Sequence, residues 1–120
     1  YYIQYAHARI CSVFRKSKIG EDSLSEADLN LLVSERETEI IKSLGQYPKI
    51  IERAADNYEP HLICYFLREL SASFHGYYNN EKFLIDDEDL MKSRLFLLKG
   101  IKQVIQNGLR VLGQRAPKEM

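Results

Sequence analysis

An all-α bundle of about five helices is the architecture this sequence predicts, and three observations predict it. Apolar residues recur at three- and four-residue spacing through most of the 120 positions. No segment alternates convincingly with the two-residue period of a strand. No repeat, low-complexity tract or long linker divides the chain, so residues 1–120 are expected to form one domain with its own core.

The elements follow in order. Residues 1–19 read as a helix with Ile3, Ala6, Ile10, Val13 and Phe14 on its buried stripe. Tyr1 to Arg9 hold no glycine, proline or turn residue, so the helix is under way at once, as expected of a piece cut from a longer protein. Gly20-Glu21-Asp22-Ser23 ends it. Ser25-Glu26-Ala27-Asp28 fits a short turn carrying Leu29, Leu31 and Leu32. Ser34-Glu35-Arg36-Glu37 fits a capping box, with the Glu37 carboxylate reaching back to the helix start. The helix that follows buries Ile40, Ile41 and Leu44 and is expected to stop near Gly45-Gln46. Tyr47-Pro48 restarts a short helix carrying Ile50, Ile51, Ala54 and Ala55, since proline suits a first turn. Glu59-Pro60 restarts again, and residues 60–78 place Ile63, Phe66, Leu67, Leu70 and Phe74 at helical spacing. Asn79-Asn80 and the acidic stretch to Asp89 read as a loop. The last helix, residues 87–112, aligns Leu95, Leu98, Ile101, Ile105, Leu109 and Leu112, and Gly113 ends it. Gly100 and Gly108 lie inside that helix at about 1 kcal/mol each against alanine. They are either tolerated or they admit the close approach of another helix or a ligand.

Charge is neutral overall but unevenly placed. Residues 1–20 carry Arg9, Arg15, Lys16 and Lys18 and no acid, and residues 91–120 carry seven bases and one acid. Residues 21–40 carry seven acids against one base, and residues 81–90 five against one. If the first and last helices lie side by side, their bases make one positive face suited to an anionic partner. Solvated charge without a partner is the competing reading. No apolar run is long enough to cross a membrane, and these residues show no charged-apolar-small pattern of a signal peptide. Cys11 and Cys64 form no CxxC pair and read as free thiols of a reducing compartment.

Chemistry-bearing constellations are sparse. His7 with Cys11 and His61 with Cys64 sit about one helical turn apart, but their spacings match no zinc pattern, and His7 lies on the apolar stripe. There is no glycine-rich phosphate loop. Asp86-Asp87-Glu88-Asp89 stand where a helix begins, which the helix dipole explains without catalysis. No catalytic and no metal-binding residue is assigned. The aromatic residues differ. Tyr2, Tyr5, Arg9, Ser12 and Lys16 share one face of the first helix, and two rings with two cations on one stripe suit stacking on bases and pairing with phosphates. Tyr77-Tyr78-Asn79-Asn80 at a helix end offers a second stacking position, although most tyrosines simply pack at a core edge.

Four stretches carry a resemblance: Tyr2-Ile3-Gln4-Tyr5-Ala6-His7-Ala8-Arg9; Glu59-Pro60-His61; Leu70 through Phe74-His75 with Tyr78-Asn79; and Asn107-Gly108-Leu109-Arg110-Val111-Leu112-Gly113 with Ala116-Pro117-Lys118-Glu119-Met120. Together, in order and from end to end, they resemble the all-helical, DALR-type C-terminal anticodon-binding domain of arginyl-tRNA synthetases. These are cytoplasmic class I enzymes that join arginine to its tRNA with ATP and magnesium. Their HIGH-like and KMSKS-like motifs are not in this chain. The resemblance therefore implies the tRNA-reading part, binding no cofactor itself and partnered by a catalytic domain of the same chain, with no membrane or DNA partner. It assigns Tyr78, Met120, Tyr2 and Arg9 to the anticodon loop. Tyr5 joins them because it shares the stripe of Tyr2 and Arg9, and Lys16, Arg110 and Arg115 are phosphate contacts on charge alone. Arginine codons always have G in the middle, so the middle anticodon base is always C, and such a domain must hold that cytidine. The acidic residues 81–90 are expected to face away from RNA. The competing classes are a helical protein-interaction module, the equivalent domain of another class I synthetase and, more distantly, a metalloenzyme bundle.

Overall fold

The computed structural model describes all 120 residues. Four helices build it: α1 (Tyr2–Ser17), α2 (Glu35–Asp56), α3 (His61–Asn80) and α4 (Glu88–Val111). Two 3₁₀ turns, Glu21–Leu24 and Leu29–Leu31, join α1 to α2. The all-α class holds, with four helices in place of about five.

The missing boundary lies in α2. Gly45-Gln46 does not stop the helix, and Pro48 sits in its interior. An internal proline removes a backbone hydrogen bond and costs about 3 kcal/mol in isolation. Both halves of α2 are nonetheless anchored. Ser34 and Glu37 close the expected capping box in both directions, and Ile40 and Ala54 are buried at opposite ends. Between them the Tyr47 ring lies 5.5 Å from Phe66, and its hydroxyl donates to Asn107 at 2.6 Å. Ile41 and Ala55, expected inside, are exposed, because the continuous helix turns them outward. Leu112 is only half-buried at the end of α4.

Apolar residues from all four helices, together with Leu24, Leu32 and Phe83 from the links, meet in one core. A Cβ built on Gly108 would stand 2.7 Å from Leu67 Cδ1, and one on Gly100 would stand 3.5 Å from Leu44 Cδ1. Both glycines therefore face neighbouring helices. Gly108 provides the close approach of α3 to α4.

The α3–α4 link is held by a buried polar cluster. Tyr77, the other ring of the Tyr77-Tyr78 pair at the helix end, is fully buried. Its hydroxyl donates to Glu37 Oε2 at 2.6 Å. Arg94 Nε donates to the same oxygen at 2.9 Å, Nη2 to Glu81 at 3.3 Å and Nη1 to the Lys82 carbonyl at 2.8 Å. Burial by itself pushes the Glu37 carboxyl up, but hydrogen bonds from Tyr77, Ser34 and Arg94 overcome this and hold it below the usual carboxylate range. Burial and the Glu37 bond push the Tyr77 phenol well above its ordinary value.

The expected pooling of basic charge from α1 and α4 does not occur in that form. Lys92 pairs with Glu88, Arg94 with Glu37 and Glu81, and Lys102 with Glu21. Much of the positive charge of α4 is thus neutralised locally.

Candidate nucleic-acid interface

The polar stripe of α1 lies along a groove lined by Tyr5, Ala8, Arg9, Ser12, Arg15, Lys16, Tyr78, Glu119 and Met120. The cavity measures about 480 Å³, room for one nucleobase with its sugar. An adjoining hollow is lined by Tyr1, Tyr2, Tyr5, Arg9, His75, Asn79 and Met120. Helix α1 supplies one wall, the end of α3 a second and the tail after α4 a third.

Arg9 is the centre of this site. Its Cζ lies 4.6 Å from the Tyr5 ring centroid and 4.5 Å from that of Tyr78. These are cation–π distances to two rings at once. Nη2 donates to the Tyr5 hydroxyl at 2.6 Å, and Nη1 stands 3.4 Å from His75 Nδ1. Burial lowers the His75 pKa and the Arg9 charge lowers it further, so the imidazole is neutral and can accept. Tyr2 and Tyr5 close on the same imidazole, with centroids 5.1 and 5.6 Å away. Arg9 makes no ion pair. Its rings and hydrogen bonds orient the guanidinium and leave its charge uncompensated.

The sequence-assigned residues divide accordingly. Tyr2, Tyr5, Arg9, Lys16, Tyr78 and Met120 meet in the groove and its adjoining hollow. Arg110 and Arg115 are exposed and line neither. His75 had no role beyond its place in the Phe74-His75 motif. The available signal was its position three residues before Tyr78, which puts both on one face of α3. Arg15 was counted only as charge, yet it lines the groove, one residue before Lys16. Of the acidic stretch, Glu81 turns toward Arg94, and Asp87 caps α4 by accepting from the Leu90 amide at 3.2 Å.

Elsewhere the titratable groups are structural. Burial pushes the Cys11 thiol up, which keeps it protonated and unreactive. His7 and Cys11 adjoin one another, with Sγ and Nδ1 3.8 Å apart. His61 instead pairs with Glu59 at 3.4 Å.

Residues 3–120 match the model of the DALR anticodon binding domain. The chain belongs to this family. Arginine–tRNA ligases of Coxiella burnetii and Geobacter metallireducens are 49% and 45% identical to it over its whole length. The chain covers 21% and 22% of those two proteins, so it spans about a fifth of the length of the curated relatives it matches. Among solved structures, a putative arginyl-tRNA synthetase from Campylobacter jejuni superposes with a TM-score of 0.92 at 27% identity, over 100% of this chain and 26% of that one. The Thermus thermophilus arginyl-tRNA synthetase superposes with a TM-score of 0.87 at 30% identity, over 99% of this chain and 21% of that one. The DALR-type fold predicted from sequence is thus the fold observed.

Proposed function

We propose that this domain grips the anticodon loop of an arginine tRNA for a longer arginine–tRNA ligase. The observation that carries the reading is the Arg9 guanidinium within cation–π distance of both Tyr5 and Tyr78 and in no ion pair. A planar cation held against aromatic rings stands where a nucleobase could stack. An incoming everted base would take over one ring face while the guanidinium swings to a phosphate or to the base edge. Arg15 and Lys16 supply further positive charge along the groove, against the single carboxylate of Glu119. Met120 would lie against the middle cytidine, whose exocyclic amine is a donor to a backbone oxygen. Tyr2 would offer the next stacking surface. Arg110 and Arg115 would reach phosphates outside the groove. The parent enzyme, acting in the cytoplasm, would use ATP and magnesium in its own nucleotide-binding domain.

The test is binding to an arginine tRNA at low and moderate salt. It is run beside the same tRNA with its middle anticodon base replaced, and beside a Tyr78→Ala protein. Binding should weaken with salt and fall about tenfold or more for each change, given what one stacked base contributes. Binding indifferent to the cytidine would remove the reading.

A further inference from the structure

We propose that His7 is the positioning residue that latches the tail across α1 and so sets Met120 in the groove. The inference rests on the groove being the RNA site, but its structural half can be tested without RNA.

His7 is 2% exposed. Its Nδ1 lies 2.7 Å from the carbonyl oxygen of Pro117, 110 residues along the chain. A carbonyl only accepts, so Nδ1 carries the hydrogen and donates it. The ring is therefore the Nδ1–H tautomer, and Cys11 Sγ, 3.8 Å from the same nitrogen, shares that hydrogen as a weak acceptor. Nε2 is then a bare lone pair, buried and without a partner. A histidine present only to fill the core would be replaceable by a residue with no such orphan. The bond also leaves the bundle and ends on a segment that little else shapes. After Gln114, whose amide donates to Leu109 at 2.7 Å, the tail makes no backbone–backbone hydrogen bond. Its other holds are Ala116 against the core and the carbonyl of Lys118, which accepts from Arg15 at 3.1 Å. Immediately beyond these points Glu119 and Met120 form the groove's third wall.

The experiment uses methyl-labelled methionine. Met91 and Met120 are the only two methionines, and one reports α4 while the other reports the tail. Two variants separate the roles. Asparagine at position 7 places its amide nitrogen where Nδ1 stands and can keep the bond to Pro117. Glutamine places it where Nε2 stands and loses that bond. In His7→Gln the Met120 methyl resonance should move to its position in a free peptide while Met91 stays. His7→Asn should leave both in place. Affinity for arginine tRNA should fall about tenfold in His7→Gln and recover in His7→Asn. Adding Met120→Ala to His7→Gln should cause no further loss, because both act through one element.

A Met120 resonance unmoved in His7→Gln overturns the latch, whatever the RNA does. A released tail with unchanged tRNA affinity upholds the latch and removes Met120 from the RNA site. If His7→Gln also displaces Met91, the native protein decides: nitrogen-15 imidazole spectra showing the Nδ1–H tautomer support the latch, and the Nε2–H tautomer overturns it.

Discussion

Two arginines, Arg9 and Arg94, sit at the two ends of one design question. Each lies by the end of α3: Arg9 against the Tyr78 ring, and Arg94 on the carboxylate oxygen of Glu37 that also accepts from Tyr77, the chain neighbour of Tyr78. Around Arg94 the partners are Glu37 and Glu81, and the side chain is 12% exposed. Around Arg9 the partners are Tyr5, Tyr78 and neutral His75. The first cluster closes its own charge and fastens the fold. The second orients a charge and leaves it open. A buried arginine matched by acids is architecture; an arginine held by rings alone is an invitation to an anion.

The sharpest way to break this contrast is to exchange the effects. Arg94→Met strands the Glu37 carboxylate in the core and should lower unfolding free energy by about 3 kcal/mol in urea titrations. The tRNA affinity of the folded fraction should hardly move. Arg9→Met should do the reverse, weakening tRNA binding by about 2 kcal/mol while stability stays within about 0.5 kcal/mol of the parent. Equal losses of stability in both variants would erase the distinction. Acid should pick out the first cluster as well. Glu37 is held below its ordinary value of 4.5, so it binds fewer protons folded than unfolded. Its contribution is whole above that value and is lost as the pH falls below it through the folded-state pKa. Stability measured against pH should show this decline in the native protein and a shallower one in Glu37→Gln. The smallest effects belong to Arg110→Ala and Arg115→Ala. Each should reduce tRNA affinity by about twofold and lessen its salt dependence slightly, since neither lines the groove.

The contrast also shows what the sequence made legible. The stripe of Tyr2, Tyr5, Arg9 and Lys16 could be read from spacing alone, because a helix converts three- and four-residue intervals into one face. The DALR-type fold was legible because its motifs run the full length of the chain. Helix α2 was misread because glycine and proline act through local propensity, while packing against α3 and α4 is a tertiary effect that overrides it. Composition and spacing alone could not separate Tyr77 from Tyr78 for a similar reason, although the resemblance picked out Tyr78. Neighbours on a helix point about 100° apart, and only the position of Glu37 decides which one faces inward. The local neutralisation of α4 needed knowledge of which acids fold back onto it, and a count of charges cannot supply that.

The return of Pro117 to His7 has a consequence for synthesis. One wall of the groove comes from the start of this segment and another from its end, and contacts so distant in sequence form late. A translating ribosome would release all four helices before the groove could close. A protein truncated before Pro117 would keep the core residues of all four helices and lack the third wall of the groove.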